Sequence, residues 1–176
     1  MQTTTLIITS NDTIYTQLVS KMNLQTNGDI ATTSLEDSII IAIKTVSPEA
    51  VETIIGNQVA TQKVICVDTV SEFYEVEFKL GDVAIPNSVI HGSNAHFLEY
   101  APSGDYDLEK FNLILNGTIG PKGSEEDEFQ VDMVDENIFP ITANLQKNDL
   151  LSKTIVLRGI GEESIENTLA IFEMVV

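Results

Sequence analysis

The chain of 176 residues is 43% hydrophobic, which is enough apolar material for one domain with a substantial core. Its formal net charge is −18, with 27 acidic residues against nine Lys and Arg, and this balance argues against a nucleic-acid partner or an anionic membrane surface. The sequence contains no apolar run long enough to span a bilayer, and its start lacks the basic segment of a secretory signal.

The first 70 residues alternate strands with helices. Asn11 is a good N-cap for a first helix. Ser47 followed by Pro48 is typical of the start of a second helix. The run "SIIIAIKTV" is continuously apolar, as expected of a strand buried on both faces. The elements predicted in this part are strands at 3–9, 38–45 and 63–67, and helices at 12–22 and 48–59. Their order indicates a central mixed β-sheet flanked by helices, an α/β class, within a single domain spanning 1–176.

Beyond Gly81 the sequence becomes rich in short strands that Pro and Gly separate. A helical stretch around 135–147 contains Pro140, which should kink or delay the helix. The acidic run "GSEEDE" at 123–128 is expected to be a solvated loop. The remaining predicted elements are strands at 83–91, 111–116 and 153–159, and a closing helix at 163–175.

Three residue types that often carry chemistry have a structural interpretation here. Cys66, the single cysteine, lies inside the apolar run "KVICVD", which favours a small buried hydrophobe over a reactive thiol. His91 and His96 are not spaced with other ligands as a metal site would require, so they are interpreted as surface or strand histidines. We expect no metal and no cofactor.

Five segments, taken in order, resemble the nucleoside phosphorylase and methylthioadenosine/S-adenosylhomocysteine nucleosidase superfamily. The segment "VICVDTVSEFYEVEFKLGDVAIP" has the length and apolar register of that family's strand, Gly-rich turn and Gly-Asp motif. "LEDSIIIAIKTVSPEAVETII" lies in the place of an earlier strand, turn and helix, and "VIHGSNAHFLEYAPSG" is similar to the segment that carries an aromatic wall of the nucleoside pocket. "VDMVDENI" and "IVLRGIGEES" are similar to the motifs near the ribose and the base. The resemblance implies a nucleoside phosphorylase-like fold, diverged and shortened between residues 100 and 131.

The same resemblance implies that the reacting groups are largely lost. The positions of the Gly-rich turn, 68–73, hold no glycine and two carboxylates, which would repel an anion. Val134 stands where the family has the Glu that grips the ribose hydroxyls, and Glu162 stands where the family has its acid, an Asp. Glu162 is therefore the one vestigial catalytic candidate. The residues of a vestigial nucleoside pocket would be Val70, Ser71, Phe97, Met133, Val134 and Arg158.

Two of these pocket positions also have structural interpretations. Met133 is equally well explained as a core methionine on a strand. Arg158, the only arginine, could form a buried ion pair with Asp132 or Glu162 in place of a ligand contact.

The sequence thus favours a non-catalytic nucleoside phosphorylase-like scaffold that acts as a structural or assembly protein. A viral or phage virion component would fit this profile, and the expected location is cytoplasm or virion. We expect protein partners, as a homo-oligomer or a larger assembly, and neither nucleic acid nor membrane. The alternatives that remain open are a nucleoside-binding module and an active nucleosidase or phosphorylase with a rewired site.

Overall fold

A computed structural model describes residues 3–57, 61–70, 80–86, 88–98, 132–134 and 137–176, and for Phe97 and 132–134 it describes the backbone. The strands in chain order are β1 Thr3–Thr9, β2 Gln25–Asn27, β3 Ile30–Ser34, β4 Ser38–Lys44, β5 Thr61–Val70, β6 Val83–Ala84, β7 Ser88–His91, β8 Asn94–Phe97, β9 Asp132–Val134 and β10 Thr154–Ile160. The helices are α1 Asp12–Lys21, α2 Pro48–Gly56, α3 Ile138–Lys147 and α4 Ile165–Val175, with short 3-10 turns at Leu151–Lys153 and Glu162–Ser164.

Seven strands form the central sheet, in the order β2-β3-β4-β1-β5-β10-β6. The four middle strands, β4, β1, β5 and β10, run parallel to one another. The β2–β3 hairpin adds antiparallel strands beyond β4, and β6 pairs antiparallel with β10 at the other edge. The predicted mixed sheet with flanking helices is therefore confirmed, and β4 is an interior strand as its apolar run indicates.

Local signals explain where the first two helices begin. Asn11 is extended, and its side-chain oxygen accepts a hydrogen bond from the backbone N–H of Ile14, which caps α1. Ser47 caps α2 in the same way through Ala50, and Pro48 takes the first helical position, where a missing N–H costs nothing. In α3, Pro140 also lies in the first turn, so it is accommodated without a break in the helix.

The core has two layers, one on each face of the sheet. Helices α1 and α4 cover one face, where Leu18 and Phe172 pack in a cluster with Ile7 of the sheet. Helices α2 and α3 cover the other face, where Val51 and Leu145 pack in a second cluster. Because successive strand residues point to opposite faces, the apolar runs of β1, β4 and β5 supply both layers. Cys66 is fully buried in the second cluster, as expected of a small core hydrophobe.

A separate three-stranded sheet has the order β8-β7-β9, and its strands β7 and β8 contact α3. This sheet corrects the prediction of one strand at 83–91. The chain forms β6 in the central sheet and then β7 in the small one, with Pro86 between them. Proline has no N–H to donate to a ladder, so it favours a break at this point.

Other boundaries differ less. The helix predicted at 163–175 begins at Ile165, after the 3-10 turn Glu162–Ser164. The β2–β3 hairpin was not predicted, because its short strands are polar and mostly exposed. The strand predicted at 111–116 and the acidic loop at 123–128 lie outside the described residues.

Candidate functional site at the carboxyl edge of the parallel strands

The strand order of the central sheet predicts where a ligand would bind. From β1 the chain moves through α1 to β4 on one side, whereas beyond β5 the chain continues to β10 on the other side. The direction of winding therefore reverses between β1 and β5. In open α/β sheets, ligands bind at the carboxyl ends of the strands that flank such a reversal.

The protein fills this position with its own carboxylate. The backbone N–H of Ser10, just after β1, donates to Asp68 Oδ2 at 2.9 Å, and the Ser10 hydroxyl donates to the same oxygen. The N–H of Thr69 donates to Asp68 Oδ1 at 2.9 Å. Asn11 Nδ2 contacts Thr69 Oγ1 at 3.3 Å, which adds a second link between the two strand ends. The N–H and O–H of Ser10 and the N–H of Thr69 are thus used internally and are not available to an anion.

The start of α1, next to this network, is capped by a side chain and carries an ion pair. Asn11 Oδ1 accepts the N–H of Ile14 at 3.0 Å. Asp12, in the first turn, forms an ion pair with Lys44 Nζ at 2.7 Å, and Asp29 lies 3.5 Å from the same ammonium group. The pKa of Lys44 is raised, chiefly by its hydrogen bond to Asp12. A carboxylate near a helix N-terminus is favourable, so the sequence stabilises this end without a ligand.

Two predicted site residues, Val70 and Glu162, meet at the same edge. Val70 ends β5, and its carbonyl accepts the N–H of Gly161 at 2.7 Å, directly beyond the end of β10. Gly161 has a φ of 73°, which lets the chain turn sharply into the 3-10 segment that carries Glu162. The Glu162 side chain is exposed. Both residues therefore lie at the carboxyl edge of the parallel strands.

Arg158 lies inside the sheet and is only 3% exposed. It is in register with Asp68 on the neighbouring strand. Its Nη1 donates to the backbone carbonyls of Cys66 at 3.3 Å and Leu157 at 3.1 Å. These contacts support a structural role. Within the described part of the chain, Arg158 forms no ion pair with Glu162, whose side chain is exposed. The ion pair with Asp132 stays a prediction, because the side chain of Asp132 lies outside the described structure.

The other predicted pocket residues are placed only in part. Met133 and Val134 lie on β9, in register with Val89 and Ile90 of β7. Phe97 ends β8, but its side chain is outside the description, and Ser71 lies outside the described residues.

Sequence reasoning missed Ser10 and Thr69 as partners in this site. The available signal was that both are polar and follow apolar segments of strands that prove to be adjacent. Among the residues that the structure describes, no group of three His, Cys, Asp or Glu side chains is able to hold a metal ion. No helix in this part of the chain is long and apolar enough to cross a membrane.

No family model and no curated protein sequence matches the chain. Its structure is similar to several solved nucleosidases. The methylthioadenosine nucleosidase of Chlamydia trachomatis is 11% identical with a TM-score of 0.63, over 99% of this chain and 98% of that one. Futalosine hydrolase of Helicobacter pylori is 12% identical with a TM-score of 0.60, over 99% and 94%.

A third structure is the methylthioadenosine nucleosidase of Helicobacter pylori with 5′-methylthioadenosine in its active site. It is 12% identical with a TM-score of 0.60, over 99% of this chain and 91% of that one. The TM-scores of 0.60 to 0.63 over 99% of the chain show the fold, and identities this low leave the activity open. The chain thus has the α/β fold of these nucleosidases, and the resemblance to the nucleoside phosphorylase and nucleosidase superfamily is confirmed at the level of the fold.

Proposed function

We propose that this chain is a nucleosidase-fold protein without nucleoside turnover, which serves as a structural subunit of a protein assembly such as a virion. The observation that carries the proposal is the Asp68 carboxylate at the winding reversal, held by the N–H and O–H of Ser10 and by the N–H of Thr69. A negative group already bound there opposes the entry of phosphate, because like charges repel and these N–H donors of Ser10 and Thr69 are taken.

The base side of the site supports the same proposal. Glu162, the vestigial acid, is exposed on a short 3-10 turn. A general acid works best at a site that excludes water, and an exposed carboxylate lacks this advantage. On the ribose side, Val134 has no acceptor for a hydroxyl group. Losing one positioned group typically lowers a rate by two or more orders of magnitude, so losing several opposes efficient catalysis.

The assembly part of the proposal is supported by the surface. Val46 and Leu80 are 53% and 65% exposed, and both lie at the carboxyl edge, beside the ends of β4 and β10. Apolar side chains of this kind are suited to the centre of a protein interface. The net charge of −18 opposes self-association at low salt, and salt screens it over roughly 8–10 Å. A homo-oligomer should therefore be favoured by moderate salt, and a basic partner by low salt.

The catalytic part is tested by incubating the full chain with adenosine, inosine, uridine and methylthioadenosine, with and without phosphate, and measuring free base by chromatography. A nucleosidase of the same fold serves as the positive control. We expect no base above the level of the buffer. Base release that is lost on Glu162→Gln would overturn the proposal and restore an active enzyme.

The assembly part is tested by light scattering at micromolar concentration and 150 mM salt. We expect a species larger than the 19.3 kDa monomer, alone or with a basic partner chain. The double variant Val46→Ser with Leu80→Ser should lower the apparent mass. A monomer that captures no partner but binds a nucleoside would show that the chain is a binding module instead.

A further inference from the structure

A buried histidine joins the small sheet to helix α3 and takes no part in the hydrogen bonds among Ser10, Asp68 and Thr69. His96 on β8 is 8% exposed, and its ring stacks on Phe139 of α3 with centroids 4.1 Å apart and an interplanar angle of 12°. Its Nδ1 lies 2.7 Å from Thr142 Oγ1, also on α3. His91 on β7 meets the same phenyl ring edge-on at 5.3 Å. The small sheet therefore contacts α3 through the phenyl ring of Phe139 and the hydroxyl group of Thr142.

The hydrogen bonds of Thr142 indicate which ring nitrogen of neutral His96 carries the proton. Thr142 Oγ1 is 2.9 Å from the backbone carbonyl of Phe139, and a carbonyl oxygen can only accept. The single hydroxyl proton is thus donated to Phe139, so Oγ1 must accept a proton from Nδ1 of His96. The neutral imidazole is therefore the Nδ1–H tautomer, with its lone pair on Nε2.

We propose that the His96–Thr142–Phe139 chain is an acid-sensitive latch that holds the small sheet against α3. It goes beyond the proposed function and does not depend on it. Protonation at Nε2 would leave the Nδ1–H bond to Thr142 intact but would place a full charge on a buried ring. The ring stack on Phe139 offsets only part of this cost, since burial still lowers the pKa of His96 below its ordinary value of 6.5.

Among the described residues, few charged groups lie on the elements that pack against β8. Strand β8 packs against β7 and α3. On β7 the titratable group is His91, and on α3 the charged group is Lys147; both are exposed, and neither element contains a carboxylate. Neither element therefore supplies a negative charge that would stabilise a positive charge on His96.

The direction of the pH effect follows from linkage. When the small sheet detaches, His96 regains its ordinary pKa and binds a proton more readily than in the latched state. The latch is therefore complete above pH 6.5 and weakens as the pH falls below it. Until the pH reaches the lowered pKa, each unit below 6.5 favours detachment by up to about tenfold.

Hydrogen exchange of the full chain tests the latch at pH 7.5 and 5.5, corrected for intrinsic rates, with β1 and β5 as internal references. In the natural chain we expect protection across residues 88–97 to fall up to about tenfold at pH 5.5 relative to those references. His96→Asn keeps an N–H donor near the Nδ1 position and cannot titrate, so its protection ratio between the two pH values should stay near one. Thr142→Val should lower protection at both pH values while the acid response remains.

Two results would overturn the latch. One is an acid response in His96→Asn equal to that of the natural chain, and the other is unchanged protection at pH 7.5 in Thr142→Val. If His96→Asn does not fold, the ¹⁵N chemical shifts of His96 in the natural chain still decide the matter. We expect a protonated Nδ1 and a bare Nε2 at pH 7.5, and the opposite tautomer would refute the assignment.

Discussion

Replacing Gly159 with Ala should destabilise the protein strongly, although the change adds one methyl group. A Cβ built on Gly159 would lie 2.0 Å from Ser164 Oγ and 2.3 Å from Thr168 Oγ1. Both hydroxyls are fully buried and already engaged, since Ser164 donates to the Gly161 carbonyl at 2.6 Å and Thr168 donates to the Ser164 carbonyl at 2.8 Å. The methyl group must therefore displace β10 from the start of α4 or break these bonds.

The cost can be estimated from these contacts. Overpacking a buried site costs about 1–3 kcal/mol, and a broken buried hydrogen bond adds about 1 kcal/mol, so we expect a loss of about 3 kcal/mol. For a chain of this length, that loss lowers Tm by roughly 6–12 °C. The double variant Gly159→Ala with Ser164→Ala removes the closest oxygen, so its loss should be smaller than the sum of the single losses by about 1 kcal/mol.

Gly56→Ala is the matched control. Gly56 is the last residue of α2, and a Cβ there would meet nothing within 4 Å. Alanine is the better helix former, so this variant should be neutral or more stable by up to about 1 kcal/mol. Thermal and urea unfolding, followed by circular dichroism, measures all four variants. A Gly159→Ala protein within 0.5 kcal/mol of the natural chain, on the order of an ordinary surface substitution, would refute the packing of α4 on β10 described above.

Two further predictions concern the carboxyl edge and the core. Asp68→Asn removes the charged acceptor of Ser10 and Thr69 at a half-buried position and should lower the free energy of unfolding by about 1–2 kcal/mol. Glu36→Gln makes the same charge change at an exposed position and should have no measurable effect. Equal losses of stability in the two variants would contradict the hydrogen bonds assigned to Asp68. Cys66 is fully buried, so a thiol reagent should label it only as fast as the protein unfolds. In denaturant, one thiol per chain should react. Rapid labelling of the native chain would contradict the assignment of Cys66 to the core.

The fold and the chemistry of a protein depend on its sequence in different ways. The strands, caps and core layers need only apolar patterning and turn chemistry, and these persist at about 12% identity to solved nucleosidases. Chemistry needs particular atoms at particular distances. At the winding reversal of this chain, the atoms present are a carboxylate and its own three donors.

Much of the fold could be predicted because its signals are local. The apolar runs of β1, β4 and β5 and the capping residues Asn11 and Ser47 give the elements and their order, since burial on both faces and helix capping depend on neighbouring residues. The order of the motifs then indicated the fold itself. The charge and composition likewise set the expectations about partners without any structure.

The tertiary structure alone decided what depends on residues far apart in sequence. Ser10 and Asp68 are 58 positions apart, and only the parallel register of β1 and β5 brings the N–H and hydroxyl of one to the carboxylate of the other. The hydrogen bond between His96 and Thr142 likewise requires the small sheet to lie on α3. Pattern and propensity give each element its faces and ends, whereas the pairing of strands and the packing of helices decide which side chains meet, because those contacts are made between elements and not within them.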